Sequence, residues 1–500
     1  MDLRRAMLVY LRGRMMRVAT QNGTLRRALM ERMSFKFQHT GRSARDFYTE
    51  VVPCFSLKEF EGAQHIIAPA GFLEAVLQIA SDFNIPFRVI DLEDNSVIQD
   101  PWACSPLRLK IPRREWEQAR DWQKQAVRIM NSYVDGRFCV ATGGGKSRLI
   151  ADLCRWLPHD RILITAKSKS LCDDLHSKIL ESAGNVGIHH SSRRDPYGRI
   201  LVCSTGSLSH YVDKDWDILI GDEIHELMTK TGLEALAMIK AKRAYGFSGS
   251  IGDRQDNADA WGEGFFGPLR MTRTYQDVQS EDSVVPILID WIELYDCGKL
   301  ISPFRSSDRK KVFIWRNHVR NEAFAKRARY HYDRGRQVLV MTETTEHALR
   351  MAKLLNWPVV AKPPSDSRRK YFIDQGLLQP GQLESDKQSR ELQEAFERRK
   401  IRGVIANRIW HTGKDFPSLD VLCRMDGGAA EIPSTQIPGR LARKYPGKPF
   451  GLLIDSRDYF EPSSERRASR RADSYRSRGW RSATKAEIET WNLTGEEASV

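Results

Sequence analysis

The chain has 500 residues, with 79 Lys and Arg against 64 Asp and Glu, so its formal net charge is +15. This length suggests about three domains, and the positive surplus favours a polyanionic partner; a merely soluble basic protein is the alternative. The eight cysteines are scattered singly and no long apolar run occurs. These features argue against a zinc ribbon, a disulfide framework and a membrane span, and we expect a reduced, cytoplasmic protein.

The first part of the chain, residues 1–110, has helical spacing of apolar residues in two places, Thr24–Met33 and Gly71–Ala80. Shorter stretches with alternating apolar residues lie between and after them and end at Phe87–Asp91. This pattern predicts a small α+β domain.

Residues 111–285 and 286–460 each alternate apolar strands with helical patterns, which predicts two parallel α/β sheets. The predicted strands of the first region are Phe138–Ala141, Arg161–Thr165, Arg199–Ser204, Ile218–Ile220 and Ala244–Ser248. Those of the second region are Gln337–Thr342, Pro358–Ala361, Gly403–Ala406, Val421–Arg424 and Phe450–Asp455.

Other stretches fall outside this alternation. Residues 252–310 are rich in Gly and Asp and then interrupted by Pro, which predicts a connection between the sheets. The polar residues 361–390 predict a loop or an insertion, and residues 461–500 form an arginine-rich tail that begins as a helix. The pair His189-His190 is expected on a surface loop, because no Cys or carboxylate lies at metal-ligand spacing from it.

A glycine-rich segment, Val140-Ala-Thr-Gly-Gly-Gly-Lys-Ser147, follows the first predicted strand of the first sheet. Glycines let backbone N–H groups close around phosphate oxygens, Lys146 supplies positive charge to the β and γ oxygens, and the Ser147 hydroxyl can ligate Mg²⁺. An ordinary tight turn is the alternative. The candidate nucleotide contacts are Thr142, Gly143, Gly144, Gly145, Lys146 and Ser147.

Two adjacent carboxylates, Asp222 and Glu223, end the predicted strand that contains Ile218–Ile220. Ligands gather at the carboxyl ends of buried parallel strands. Asp222 would hold Mg²⁺, and Glu223 would orient and deprotonate an attacking water. The alternative is that the two carboxylates cap the next helix. Together with the glycine-rich segment, they predict a site that hydrolyses a nucleoside triphosphate.

The chain resembles superfamily 2 helicases, because its motifs follow one another in that family's order and the carboxylate motif has the form Asp-Glu-x-His. Arg120-Asp-Trp-Gln123 resembles the Q motif, in which Gln123 would read the adenine edge and Arg120 or Trp122 would stack beside the base. Phe247-Ser-Gly-Ser250 resembles motif III, which couples nucleotide state to strand contact.

Motifs Ia, Ib, IV and V are identified by the same resemblance, which implies contacts to a nucleic-acid backbone through short hydroxyls, backbone amides and one lysine. The residues assigned to these contacts are Thr165, Lys167, Ser204, Thr205, Gly206, Thr342 and Thr412. Two further residues of motif V, Gly413 and Asp415, are assigned to the nucleotide.

Motif VI, Gln436-Ile-Pro-Gly-Arg-Leu-Ala-Arg443, places Arg440 and Arg443 three residues apart and therefore on one face of a helix. The resemblance implies that both arginines serve the γ-phosphate and that Gln436 partners His225. Ordinary surface arginines are the alternative, and Pro438 makes the start of this helix hard to place.

The resemblance implies two tandem RecA-like parallel-sheet domains, 111–285 and 286–460, after the small N-terminal α+β domain. The layout is similar to that of phage UvsW-type DNA helicases, XPB-like motors and restriction translocases. Such proteins use ATP and Mg²⁺ to regress forks, migrate junctions and unwind D-loops or R-loops in replication, recombination and repair. The implied partners are branched, duplex or single-stranded DNA, RNA in hybrids, and replication or recombination proteins; for a phage-encoded chain the compartment would be the host cytoplasm.

Three other functions stay open: a double-strand translocase that does not separate strands, an RNA helicase, and an accessory nucleic-acid-binding protein with an inactive ATPase. The last is disfavoured because the catalytic residues are intact. The N-terminal domain either grips duplex DNA or is a stabilising cap with a solvated basic face.

Overall fold

The computed structural model describes residues 5–40, 47–141, 143–249, 258–280, 284–298, 309–379, 381–407, 416–428 and 438–497. The predicted site residues that lie outside these ranges are Thr142, Thr412, Gly413, Asp415 and Gln436. The chain forms two compact units, the first of Met1–Ala141 with Gly145–Arg273 and the second of Thr142–Gly144 with Thr274–Val500. The domain boundaries inferred from the sequence stay predictions.

The N-terminal α+β domain lies in the first unit. Its elements are β1 (Met7–Arg12), β2 (Met15–Ala19), α1 (Gly23–Arg32), β3 (Ser34–Thr40), β4 (Phe47–Pro53), β5 (Ser56–Phe60), β6 (Ala63–Pro69), α2 (Leu73–Asp82), β7 (Phe87–Asp91) and β8 (Ser96–Ile98). Six strands form a mixed sheet in the order β5-β6-β2-β1-β7-β8, and β3 pairs with β4 separately. The two predicted helices and the predicted strand fall on α1, α2 and β7.

This domain is joined to the rest of the first unit by buried polar contacts. Arg14, in the turn between β1 and β2, places Nη1 3.0 Å from Asp135 Oδ1 and donates from Nη2 to the Phe265 carbonyl at 2.7 Å. A Cβ added at Gly71 would lie 2.4 Å from the Gly264 carbonyl oxygen, so the backbones meet only because Gly71 has no side chain. The N-terminal domain is therefore folded onto its neighbour, not tethered to it.

The parallel sheet of the first unit follows. Its elements are α3 (Arg113–Gln118), α4 (Asp121–Ser132), β9 (Asp135–Val140), α5 (Lys146–Trp156), β10 (Ile162–Ala166), α6 (Lys169–Ala183), β11 (Val186–His190), β12 (Arg193–Asp195), β13 (Ile200–Ser204), β14 (Asp215–Asp222), α7 (Ile224–Leu227), α8 (Lys230–Met238), β15 (Lys240–Ser248), α9 (Ala258–Phe266) and β16 (Leu269–Arg273). The strand order is β12-β11-β13-β10-β14-β15-β9-β16, and β12 pairs with β11 in the antiparallel sense. All five strands predicted for this region are present.

One prediction about this sheet is wrong. The pair His189 and His190 lies inside strand β11, not on a surface loop, and both side chains are buried. His189 Nδ1 lies 2.6 Å from the Tyr211 hydroxyl, and His190 Nε2 lies 3.1 Å from Asp173 Oδ1. The two imidazoles are tolerated in the interior because each has a polar partner.

The second unit holds the other parallel sheet. Its elements are α10 (Tyr275–Ser280), β17 (Ile287–Leu294), α11 (His318–Tyr332), β18 (Val338–Met341), α12 (Thr345–Leu355), β19 (Val359–Val360), α13 (Asp366–Asp374), α14 (Asp386–Glu397), β20 (Gly403–Ala406), β21 (Val421–Arg424), β22 (Gly451–Asp458), α15 (Pro462–Arg476), β23 (Arg481–Ser482) and α16 (Lys485–Glu497). The strand order is β19-β20-β18-β21-β22-β17-β23, with parallel neighbours throughout. All five predicted strands are present here too.

Two predictions outside the strands need correction. Residues 252–310 do not only connect the sheets, because β16 adds to the first sheet and β17 is an interior strand of the second. Residues 361–390, predicted to be a loop or an insertion, contain helix α13 and the start of α14, so the loop alternative is wrong. The predicted helix at the start of the tail is α15. None of the helices described is both long and apolar enough to cross a bilayer.

Candidate active site

The glycine-rich segment joins the carboxyl end of β9 to helix α5. Gly143 and Gly145 have φ of 89° and 95°, a left-handed conformation that costs glycine nothing and other residues about 1 kcal/mol or more. Gly145 is the N-cap of α5, and Lys146 and Ser147 form its first turn. This geometry turns backbone N–H groups and the positive end of the helix dipole towards one point, as an anion site requires.

Lys146 is held over this segment in a defined position. Its ammonium donates to the Val140 carbonyl at 2.9 Å, and Nζ lies 3.5 Å from Glu223 Oε1. The side chain is nine-tenths buried, so its charge acts in a poorly hydrated setting. The predicted phosphate lysine and the predicted catalytic carboxylate therefore belong to one site.

Glu223 is fixed by its backbone and by motif III. It has φ 48° and ψ 55°, a left-handed conformation that is uncommon for a residue with a side chain. Its Oε2 accepts from the Gly249 N–H at 3.1 Å and from the Ser248 hydroxyl at 3.4 Å. His225 Nδ1 lies 2.7 Å from the same Ser248 hydroxyl. The sequence indicated motif III but not that Ser248 and Gly249 hold the Glu223 carboxylate directly.

The protonation of the two carboxylates differs although they are adjacent. Burial raises the pKa of Asp222 to about 7, and the negative charge of Glu223 adds to that effect. Burial also opposes ionisation of Glu223, but the charges of Lys146 and His225 and the Gly249 N–H outweigh it and lower its pKa. Glu223 is therefore the carboxylate that is ionised at neutral pH and able to accept a proton.

Asp222 fits a metal ion. Its Oδ1 is buried and has no hydrogen-bond partner among the described residues, which is costly unless a ligand completes it. Ser147, with its hydroxyl, is half-buried at the second position of α5. One carboxylate and one hydroxyl leave the remaining positions to phosphate oxygens and water, which is how Mg²⁺ is usually bound beside nucleotides.

The Q-motif residues lie beside the glycine-rich segment. Gln123 Oε1 accepts from the Arg120 N–H at 3.0 Å, and its Nε2 donates to the Gly145 carbonyl at 3.4 Å. A Cβ added at Gly145 would lie 3.2 Å from Arg120 Nη1. Trp122 is fully buried in the hydrophobic core, so of the two candidates for stacking on a base only Arg120 is accessible.

The residues predicted to contact nucleic acid in the first sheet, motifs Ia and Ib, lie at the carboxyl ends of β10 and β13. Lys167 and Gly206 are exposed there. The side chains of Thr165, Ser204 and Thr205 are buried. Contact with a strand would therefore fall to the lysine and to backbone amides more than to these hydroxyls.

The motif IV threonine is also turned inwards. Thr342 is fully buried at the end of β18, and its hydroxyl bonds to the carbonyls of Thr344 and Ala406, at 3.4 and 3.2 Å. The bond to Ala406 joins the end of β18 to β20, so the side chain serves the fold of this edge of the sheet.

Motif VI begins as a 3₁₀ helix, Pro438–Ala442, in place of an α-helix. Proline is tolerated at the start of a helix because its missing N–H would have had no partner there. Arg440 lies in this helix, and Arg443, directly after it, donates its backbone N–H to the Arg440 carbonyl at 3.3 Å. Within the second unit, a Cβ added at Gly143 would lie 3.6 Å from Arg443 Nη1.

The segment that contains these residues was compared with known protein families. Residues 117–252, which contain the glycine-rich segment, the carboxylates and motif III, match the family described as Type III restriction enzyme, res subunit. Over these residues the chain is similar to a superfamily 2 helicase-like ATPase motor. A search of the curated proteins by sequence gives no match.

Two solved structures with TM-scores of 0.50 show the same fold. The DNA-bound ATP-dependent Type ISP restriction-modification enzyme LlaBIII matches with a TM-score of 0.50 and 11% identity, over 78% of this chain and 32% of that chain. S. cerevisiae Dbp5 bound to RNA and ADP BeF3 matches with a TM-score of 0.50 and 12% identity, over 77% and 94% of the two chains. UvsW of bacteriophage T4 matches with a TM-score of 0.38 and 15% identity, over 96% and 99%. The predicted fold of tandem RecA-like domains is confirmed.

Proposed function

We propose that this motor is an ATP- and Mg²⁺-dependent DNA helicase or translocase that remodels branched DNA, by fork regression, branch migration or unwinding of D-loops and R-loops. The observation that supports it most is the contact of Lys146 with Glu223, with Ser248 and Gly249 holding the carboxylate. A phosphate-binding lysine, an ionised carboxylate and a metal-binding Asp222 are together what phosphoryl transfer to water needs.

Each residue of this site has a part in the proposed reaction. Lys146 and the α5 N-terminus hold the β and γ phosphates, while Asp222 and Ser147 hold Mg²⁺, which neutralises phosphate charge. Glu223 orients the attacking water and takes its proton. His225 couples this step to motif III, because the Ser248 hydroxyl of that motif contacts the side chains of both His225 and Glu223.

The second unit supplies arginines in this proposal. Arg440 and Arg443 neutralise charge that develops on the transferring phosphoryl group, and Gln436 is the proposed partner of His225. Thr142, Gly413 and Asp415 are proposed to contact the nucleotide. The proposed strand contacts are Thr165, Lys167, Ser204, Thr205, Gly206, Thr342 and Thr412.

DNA is proposed as the substrate because the sequence match is to a restriction-enzyme subunit. In addition, the Asp-Glu-x-His motif of this chain differs from the motif of DEAD-box RNA helicases. A role in phage-type replication, recombination and repair, and contact with proteins of those processes, belong to the same proposal. So does its location in the cytoplasm.

The test is steady-state ATP turnover of the full chain, without nucleic acid and with single-stranded, linear duplex, forked and four-way DNA and single-stranded RNA of matched length. We expect the forked and four-way DNA to stimulate turnover most and to be converted to separated or exchanged strands. Lys146→Ala, assayed alongside, shows how much turnover comes from contaminating ATPases, because it lacks the proposed phosphate-binding charge.

Three outcomes would contradict the proposal. Stimulation by linear duplex without any single-stranded product would indicate a translocase. Preferential stimulation by RNA would indicate an RNA helicase. Nucleic-acid binding without ATP turnover above the Lys146→Ala level would indicate an accessory protein.

A further inference from the structure

Two tyrosines stack at the carboxyl edge of the second sheet. Tyr295 comes directly after Leu294, the last residue of β17, and Tyr459 comes directly after Asp458, the last residue of β22. Leu294 and Asp458 are partners in the parallel register, so the strands end side by side. The two ring centroids are 4.9 Å apart and the ring planes differ by 13°.

One face of this stack is open to solvent. Tyr295 is 70% exposed, while Tyr459 is half-buried beneath it. The Tyr295 hydroxyl donates to Glu293 Oε2 at 3.1 Å, which limits rotation of the ring. A large aromatic side chain held rigidly but left uncovered contributes little to the core and presents a flat apolar surface.

Charged side chains of both signs, among them two arginines, surround the stack. Arg457 lies on the strand next to Glu293, at 3.6 Å from its carboxylate, and its guanidinium is 5.0 Å from the Trp291 ring centroid. A groove of about 200 Å³ runs from Tyr459 to helix α15, where Arg476 lines it. Glu465 and Asp458 also line this groove, and Asp458 is neutralised by Arg320 at 3.1 Å.

The place of the stack in the fold also points to a ligand. Every recorded strand pair of the second sheet is parallel, so β17, β18, β20, β21 and β22 all end at this edge. In open α/β sheets, ligands bind outside the carboxyl ends of the strands. The predicted motif IV residue Thr342 directly follows β18 at the same edge.

We propose that the Tyr295–Tyr459 stack is a platform on which the motor holds an unpaired nucleobase of single-stranded nucleic acid. An aromatic face beside arginines is the combination that binds single strands without regard to sequence, since every base has a π-face. The inference rests on the proposed function and adds to it a strand contact that none of the helicase motifs contains.

The test is binding of a single-stranded oligonucleotide containing 2-aminopurine to the full chain, followed by fluorescence quenching. Removal of one stacking ring costs about 5- to 100-fold in affinity at such sites. Tyr295→Ala should show this loss and reduced quenching, whereas Tyr295→Phe and Tyr295→Trp should bind as the natural chain does. ATP turnover without nucleic acid should be the same in all of them.

The matched control is Tyr197→Ala. Tyr197 is 76% exposed and lies just before β13, at the amino ends of the strands of the first sheet. No described aromatic ring stacks on it. We expect no change in strand binding. Equal binding by Tyr295→Ala and the natural chain would overturn the platform, and so would a Tyr295→Phe variant as weak as Tyr295→Ala, since the hydroxyl and not the ring would then matter.

Failure of the proposed function has a different result. If the natural chain itself neither binds nor responds to any nucleic acid, the function is wrong. If it binds strands strongly but Tyr295 is irrelevant to quenching and affinity, only the platform is wrong. A protein partner seated on the stack would give the second result.

Discussion

At the scale of single residues, the protonation of Asp222 couples metal binding to pH. Burial and the neighbouring charge of Glu223 raise the pKa of Asp222 to about 7. Mg²⁺ requires the ionised carboxylate, so below this pKa the metal must displace a proton. Above this pKa, the Asp222 carboxylate is already ionised and Mg²⁺ binding displaces no proton.

We therefore expect the apparent affinity for Mg²⁺ to fall by about tenfold per pH unit below pH 7 and to level off above it. The measurement is a Mg²⁺ titration of ATP turnover at several pH values from about 5.5 to about 8.5. This range extends on the order of one unit or more on either side of the pKa of Asp222. Ser147→Ala is the control, because a hydroxyl does not titrate in this range. Its loss should lower the apparent affinity for Mg²⁺ by a similar factor at every pH. A Mg²⁺ affinity that does not change with pH would contradict the assignment of Asp222.

Glu223→Gln separates binding from hydrolysis. Glutamine keeps the size of the side chain and can still accept the Gly249 N–H, but it cannot take a proton from water. We expect nucleotide affinity within a few-fold of the natural chain and a turnover number lower by about 10²-fold or more. Fluorescent-nucleotide binding and steady-state turnover measure the two effects, and substantial residual turnover would mean that Glu223 is not the general base.

At the scale of elements, the short turn that carries Arg440 and Arg443 is the part of motif VI to test. A bidentate guanidinium stabilises charge that appears mainly in the transition state, an effect of about 10³-fold in related NTPases. Arg443→Ala should therefore lower the turnover number much more than the affinity for ATP. Arg443→Lys should recover only part of the loss, because the ammonium keeps the charge but not the fork.

Measured KM and kcat decide this prediction. A variant that loses ATP binding and keeps its turnover number would make Arg443 a ground-state ligand. If Arg443→Ala loses thermal stability together with its turnover, Arg443 is a structural residue.

The elements also show what the sequence could and could not predict. The ten predicted strands are apolar runs buried on both faces, and their pattern survives in the fold. Strand β17 has the same pattern, but Pro286 directly before it and the Gly- and Asp-rich stretch upstream suggested a linker. Helix α13 could not be predicted, because Phe372 is its only residue that is buried, and one residue gives no period.

The candidate site was predictable in its charged residues but not in its packing. Lys146, Asp222 and Glu223 have motif spacing, whereas the burial of Trp122 and the inward turn of Thr342 depend on tertiary contacts that no local pattern encodes. Their exact roles remain predictions.

At the scale of the whole molecule, the contact of the N-terminal domain with strand β9 is a stability element. Arg14 is 3% exposed and pairs with Asp135, the first residue of the strand that leads to the phosphate-binding segment. Removing one partner of a buried ion pair leaves the other charge unpaired. Arg14→Met should lower the free energy of unfolding by about 3–5 kcal/mol.

Arg12→Met is the matched control, because Arg12 ends β1 with its side chain exposed. Denaturant unfolding of both variants measures the difference. If both variants unfold at the same denaturant concentration as the natural chain, the Arg14–Asp135 pair does not stabilise the fold.

The close approach at Gly71 has a consequence for evolution and engineering. A Cβ there would meet the backbone of residues 263–267, so the two surfaces must change together. The N-terminal domain cannot be exchanged among related motors as a cassette joined by a linker. A working chimera would need to include the segment around Gly264 and Asp135, the partner of Arg14. Natural recombination between such genes would succeed only at breakpoints that keep both sides of this contact.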